Sequence, residues 1–235
     1  MPVYLLNESL VFPHPDHAEP NGLLAIGGDL SVPRLLLAYR NGIFPWYSET
    51  NPILWFSPDP RLVLSFHELH LSRKLKKTLK SGMFEVLFDT SFKEVIRNCS
   101  AVSRTGQSGT WITEDMIDAY TALYDRGYAH SVETYLDGKL VGGLYGVALG
   151  GAFFGESMFH HISDSSKVAL YYLVERLKES GYDFIDSQVP NDHMRWMGGK
   201  EVSRERYLSM LGEAIKKQTP PGKWNDSRKL KLERL

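Results

Sequence analysis

One cysteine, Cys99, in a chain of 235 residues leaves no partner for an internal disulfide and no ligand set for a Cys-rich zinc site. A reducing compartment fits that usage. Excess charge of either sign is also missing. The 27 Lys and Arg against 28 Asp and Glu give a formal net charge of -1, which excludes a chain coated in positive charge. A local basic patch does not show in that sum. The opening stretch MPVYLLNESLVFPHPDHAEP has no basic leader and is soon broken by prolines, so neither a signal peptide nor a membrane anchor is expected, and a cytoplasmic protein is. There is no GxxxxGK loop for nucleoside triphosphates. HELH at 67–70 is one residue short of zinc-protease spacing, and GESMF at 155–159 has Phe159 where a nucleophile elbow needs glycine. P-loop chemistry, metal catalysis on a histidine pair and a serine hydrolase are therefore not expected.

What is present is a sizeable apolar fraction, 43% of residues, enough for one large core or two modest ones. SVPRLLLAYRNG predicts a helix with Ser31 as N-cap, Pro33 in the first turn and Gly42 at the stop. The Pro- and Trp-rich run IFPWYSETNPILWFSPDPR follows, an irregular aromatic surface in which Trp46 and Trp55 by default pack a core. TEDMIDAYTALYDRG is a helix capped by Thr113; SVETYLDGKLVGGLYGVALGGAFFGESMF is an antiparallel three-stranded meander; SDSSKVALYYLVERLKESG is a long amphipathic helix; FIDSQV is a strand. This is an α+β pattern. Residues 1–62 read as the aromatic, Pro/Gly-rich part of a small N-terminal domain, and 63–107 as a basic helix with a connecting strand region. Residues 108–218 read as the main domain and 219–235 as a flexible tail.

Three features carry candidate chemistry. In FIDSQVPND, a strand over Phe184–Val189 places Phe184, Asp186 and Gln188 on one face and Ile185, Ser187 and Val189 on the other, the two polar residues roughly 6.5 Å apart. Pro190 ends the strand, where sites are commonly built. Glu156 leaves the apolar strand GAFFGESMF in the same sheet, with Phe153 and Met158 close by, a combination that suits a polar centre beside an apolar pocket. In HLSRKLKKTLKSG, Leu71, Leu75 and Leu79 form a buried stripe. Arg73, Lys76, Lys77 and Lys80 form a positive one, either a solvated face or a phosphate-binding surface.

The strand–helix–strand order over residues 131–189 resembles the GNAT-type acyltransferase fold, a mixed sheet with flanking helices. The loop HHISDSSK, which would hold the CoA pyrophosphate in that fold, has no glycine and carries Asp164. The motifs NGLLAIGGDL, YRNGIFPW, WFSPDPR, GTWIT, LVGGLYGV, FFGESMF and IDSQVPNDH, in this order over most of residues 20–195, closely resemble the leucyl/phenylalanyl-tRNA protein transferase family. The resemblance implies transfer of Leu or Phe, and less readily Met, from aminoacyl-tRNA to proteins beginning with Arg or Lys, marking them for degradation. It implies no cofactor and no metal, because the aminoacyl ester is already activated; a monomer is expected.

Carried over by motif, Trp46 and Trp111 resemble the aromatic pair that stacks on the terminal adenosine. Leu144, Phe153, Met158 and Ile185 resemble the apolar pocket for the amino-acid side chain, and Asn191 belongs with the substrate-binding set. Glu156, Asp186 and Gln188 match the reaction centre: Asp186 to orient and help deprotonate the incoming amine, Gln188 to hold the ester carbonyl or the nucleophile, Glu156 to fix their neighbours. Arg73, Lys76, Lys77 and Lys80 gain weight as tRNA backbone contacts. Strict alternation puts Ile185 opposite Asp186, so this assignment requires a bulge or a pocket reached through the sheet edge. A CoA-dependent N-acetyltransferase and a non-catalytic RNA-binding module remain alternatives.

Overall fold

The computed structural model describes residues 3–102 and 111–225. The chain first builds a small four-stranded sheet from β1 (Tyr4–Leu6), β2 (Leu23–Gly27), β3 (Phe44–Pro45) and β4 (Leu54–Phe56), in the order β1-β2-β4-β3. Helix α1 (Val32–Arg40) lies between β2 and β3. Its first turn holds Pro33, and the chain turns off at Gly42, whose φ of +70° is the left-handed conformation expected at a helix end. Ser31 precedes it as expected, but its hydroxyl caps nothing. Trp55 is buried, with its indole N–H donating to the Gly27 carbonyl at 2.8 Å, so the Pro- and Trp-rich run is partly core.

The large sheet has seven strands. In chain order its elements are β5 (Arg61–Ser65), α2 (Arg73–Ser81), β6 (Glu85–Phe88), α3 (Phe92–Ser100), α4 (Glu114–Asp125), β7 (Ala129–Leu136), β8 (Lys139–Leu149) and β9 (Ala152–His160). Then come α5 (Ser165–Glu179), β10 (Phe184–Asp186), α6 (Asp192–Trp196), β11 (Lys200–Val202) and α7 (Arg204–Ala214). The spatial order is β11-β5-β10-β9-β8-β7-β6, antiparallel throughout except where α5 carries the chain across from β9 to a parallel β10. The expected α+β architecture, a small N-terminal domain before a mixed sheet with flanking helices, is what the chain builds. β5 and β6, which precede residue 108, are strands of the same sheet as the meander.

Side chains from α1, α3, α4 and α7 pack one face, and those from α2 and α5 the other. Thr113 caps α4 as predicted by accepting from Met116 N–H. The basic helix also forms, capped by Ser72 and closed at Gly82, with Leu75 and Leu79 buried and Arg73, Lys76, Lys77 and Lys80 exposed. Within residues 219–225, expected in a flexible tail, Thr219 Oγ1 donates to the Gly150 carbonyl and the Trp224 backbone N–H to Asp89.

The strand expected over residues 184–189 stops at Asp186. Its Oδ1 accepts the N–H of Gln188 at 2.8 Å, the side-chain-to-backbone turn characteristic of aspartate, and Gln188 adopts φ +60°. The same carboxylate takes Arg61 Nε at 2.9 Å, Arg61 Nη2 at 2.7 Å and Tyr207 OH at 2.6 Å. Arg61 Nη1 donates to the Gly42 carbonyl at 3.0 Å, and the guanidinium lies over the rings of Phe44 and Tyr207. A Cβ on Gly42 would stand 2.7 Å from the Tyr207 ring, so glycine is needed for this close approach. The small domain, β5, β10 and α7 thus meet at one buried ion pair.

Removing one partner of such a pair leaves the other as an unpaired buried charge, at a cost of about 3–5 kcal/mol. Arg61→Met is therefore expected to lower the thermal midpoint by about 10 °C. Arg61→Lys, which keeps the charge but loses the forked donor geometry, should recover only part of that. A midpoint unchanged in Arg61→Met would contradict the assignment.

Candidate active site

β9 and β10 pair only from Ala152 to Phe154 against Phe184 to Asp186. Beyond that, β9 runs on to His160 while β10 has ended, and the sheet opens. A cavity of about 620 Å³ occupies the opening. It is lined by Gly155–His160 on one side and by Ser187–Asn191 on the other, with α5 contributing Ser166, Leu170 and Leu173.

Two irregularities decide which side chains face it. On β9, Tyr145 of β8 pairs with Ser157 while Gly146 pairs with Gly155, so Glu156 is the extra residue of a β-bulge. Phe153 and Met158 are five positions apart and by alternation belong on opposite faces. The bulge brings both to the α5 face, where they line the cavity together with Leu144 and Ile185. After β10, the left-handed turn at Gln188 re-aims that side chain toward Glu156, while Asp186 stays on the opposite face from Ile185 with Arg61 and Tyr207.

Glu156 is 8% exposed. Its Oε1 accepts Tyr39 OH and Gln188 Nε2, each at 2.7 Å, and its Oε2 accepts Tyr120 OH at 3.0 Å. The hydroxyls of Tyr39, on α1, and Tyr120, on α4, also contact each other. Burial pushes the Glu156 carboxyl up to about 7; its three hydrogen bonds oppose the rise and nearby Asp186 adds to it. Burial likewise raises both tyrosines well above their ordinary value, and the Glu156 charge adds to this.

Of the residues singled out from the sequence, Trp46, Trp111, Leu144, Phe153, Glu156, Met158, Ile185, Gln188 and Asn191 line the cavity. Both tryptophans are half-buried. Gly109 and Thr110 of the GTWIT motif lie outside the described residues. Asp186 does not line the cavity; it reaches the site through the backbone of Gln188. The stripe Arg73, Lys76, Lys77 and Lys80 is on the outer surface of α2, whose Lys74 touches Ser163 and Asp164 in the loop before α5. Glu156 is the one carboxyl group on the cavity wall among the described residues, and no cluster of metal-binding side chains occurs among them.

Sequence reading missed Tyr39, Tyr120, Arg61 and Tyr207. Tyr39 and Arg61 stand in or beside the motifs YRNGIFPW and WFSPDPR, but their partners are 81 and 125 positions away, and no local pattern announces such pairs.

Comparison with known proteins gives one answer. The family model described as "Leucyl/phenylalanyl-tRNA protein transferase" matches residues 63–212, and that of the family's N-terminal domain matches residues 28–59. A Myxococcus xanthus protein named leucyl/phenylalanyl-tRNA--protein transferase is 52% identical over 228 residues, 96% of this chain and 97% of that one. One of the same name from Syntrophotalea carbinolica is 56% identical over 214 residues, 91% and 93% of the two chains. Among solved structures, a GCN5-related N-acetyltransferase from Kribbella flavida overlays on 71% of this chain and 59% of its own at a TM-score of 0.39 and 9% identity, an overlap too partial to bear on the site. The chain belongs to the leucyl/phenylalanyl-tRNA protein transferase family.

Proposed function

We propose that this chain transfers Leu or Phe, and less readily Met, from aminoacyl-tRNA to the α-amino group of proteins beginning with Arg or Lys. The observation that carries the reading is a single cavity that joins an apolar compartment to one hydrogen-bonded carboxyl group, with two tryptophans on its wall. The terminal adenosine of the tRNA stacks on Trp46 and Trp111, a contact open to any base and contributing about 1–3 kcal/mol per stacked ring. The aminoacyl side chain enters the compartment of Leu144, Phe153, Met158 and Ile185. Leu, Phe and Met are unbranched at Cβ, which a shaped apolar wall can distinguish from Val and Ile. Arg73, Lys76, Lys77 and Lys80 hold phosphates of the tRNA without reading bases.

The amine nitrogen attacks the ester carbon, the bond to the ribose oxygen breaks, and one proton passes from nitrogen to that oxygen. Since an α-amino group titrates near 8, a base matched to neutral pH is useful. Glu156, at about 7, is so matched. Burial favours its uptake of a proton while the hydrogen bonds from Tyr39, Tyr120 and Gln188 favour the carboxylate, so both forms are within reach at neutral pH. Glu156 takes the proton from the amine and gives it to the ribose oxygen. Gln188 Nε2 is committed to Glu156, which leaves its Oε1 to accept from the amine and align the attack. Asp186 is a positioning residue in this scheme: it fixes the Gln188 backbone. A negative Glu156 on the cavity wall also favours a cationic acceptor.

Radiolabelled leucine on tRNA should pass to a peptide beginning with Arg and not to one beginning with Gly, without added nucleotide or metal. Binding of tRNA with no label moved would overturn the proposal. Glu156→Gln mimics the neutral acid and should slow transfer by about 100-fold or more. The same change should stabilise the fold. A carboxyl whose pKa is raised on folding contributes stability in full below the unfolded value of 4.5, and that stability is lost as pH rises through about 7. The variant should therefore match the parent near pH 4 and exceed it by a few degrees in midpoint at pH 8. Transfer at the parent rate would remove Glu156 from the mechanism.

A further inference from the structure

The apolar compartment is bounded by Phe153, whose ring separates it from the C-terminal segment. On the far side, the Trp224 indole packs 5.9 Å from Phe153, centroid to centroid, at a tilt of 31°. Trp224 is itself held from several directions. Its ring stacks on His130 at 3.7 Å and 5°, the Arg176 guanidinium lies 5.2 Å from the ring centroid, and its backbone N–H donates to Asp89 at 2.7 Å. Asp89 in turn bonds His130 Nδ1 at 2.9 Å. These are more constraints than a loose chain end needs to cover an apolar edge.

Phe153 also touches bare backbone. A Cβ on Gly146 would stand 2.5 Å from Phe153 Cε1, so the ring sits directly against the β8 strand. Phe153 is thus held in contact with both the Gly146 backbone and Trp224. An apolar pocket separates side chains that differ by one methylene by only about 1–3 kcal/mol, and it does so only while its wall keeps its place. We infer that Trp224, in a segment beyond the residues matched by the family model, is a specificity-determining positioning residue: through Phe153 it sets the depth of the compartment and so the balance between Leu and larger side chains. This rests on the reading that the compartment takes the aminoacyl side chain.

The test is the ratio of kcat/KM for Phe-tRNA over Leu-tRNA, measured with one Arg-initial peptide well below the thermal midpoint. In Trp224→Ala the Phe153 ring can retreat into the space vacated, and the ratio should rise by at least about five-fold. Trp224→Phe should stay near the parent, and Trp224→Leu, which fills part of the space, should fall between; these two carry the test if the alanine variant does not fold. General loosening would lower both donors alike and leave the ratio unmoved. An unchanged ratio across the series, or one shifted toward Leu, overturns the inference. If the parent protein moves neither label, the reading of the compartment fails first, and the inference falls with it.

Discussion

Arg61 and Asp186 are both withdrawn from water, and a buried ion pair is tolerated only when its remaining hydrogen-bonding capacity is filled. Here it is filled by the very elements the site needs. Asp186 accepts from Arg61, Tyr207 and the Gln188 backbone, and Arg61 also binds the Gly42 carbonyl, so one pair ties the small domain to the large sheet and to α7. The turn that aims Gln188 is a by-product of satisfying that carboxylate. Stability and site geometry share the same atoms.

From this anchor the rest follows by small departures from regular structure. A strand that continued through Val189 would keep Gln188 on the Asp186 face; the turn at Asp186 ends it and opens the edge of β9. Without the bulge at Glu156, Phe153 and Met158 would face opposite ways and the compartment would lose one wall. Each departure uses a group that regular pairing would leave idle. Glu156, displaced from the ladder, finds Tyr39 and Tyr120 from helices on the α1 and α4 side, and burial there brings its titration to neutral pH.

The sequence makes legible whatever depends on neighbours in the chain. The Leu75 and Leu79 stripe, the Thr113 and Gly42 helix ends, the Asp137-Gly138 turn of the meander and the crossover by α5 all follow from local spacing. The motif residues of the cavity were legible too, because they come as strings. Less legible was how they meet. Period-two reasoning put Asp186 and Gln188 on one face, and it failed because an aspartate can bond the backbone two residues on as readily as it can continue a strand. The Arg61–Asp186 pair, the tyrosine ring around Glu156 and the seat of Trp224 on His130 join residues far apart in sequence, and only the tertiary fold brings them into register.

On the proposed reading two carboxyl groups divide the labour: Glu156 handles the proton while Asp186 holds the geometry. The most direct measurement is the pH dependence of single-turnover transfer in Asp186→Asn, set beside Glu156→Gln. With Glu156 as the base, Asp186→Asn keeps the rise in rate near pH 7 at reduced amplitude, and Glu156→Gln loses that rise. Loss of the rise in Asp186→Asn with its retention in Glu156→Gln would make Asp186 the base and contradict the account.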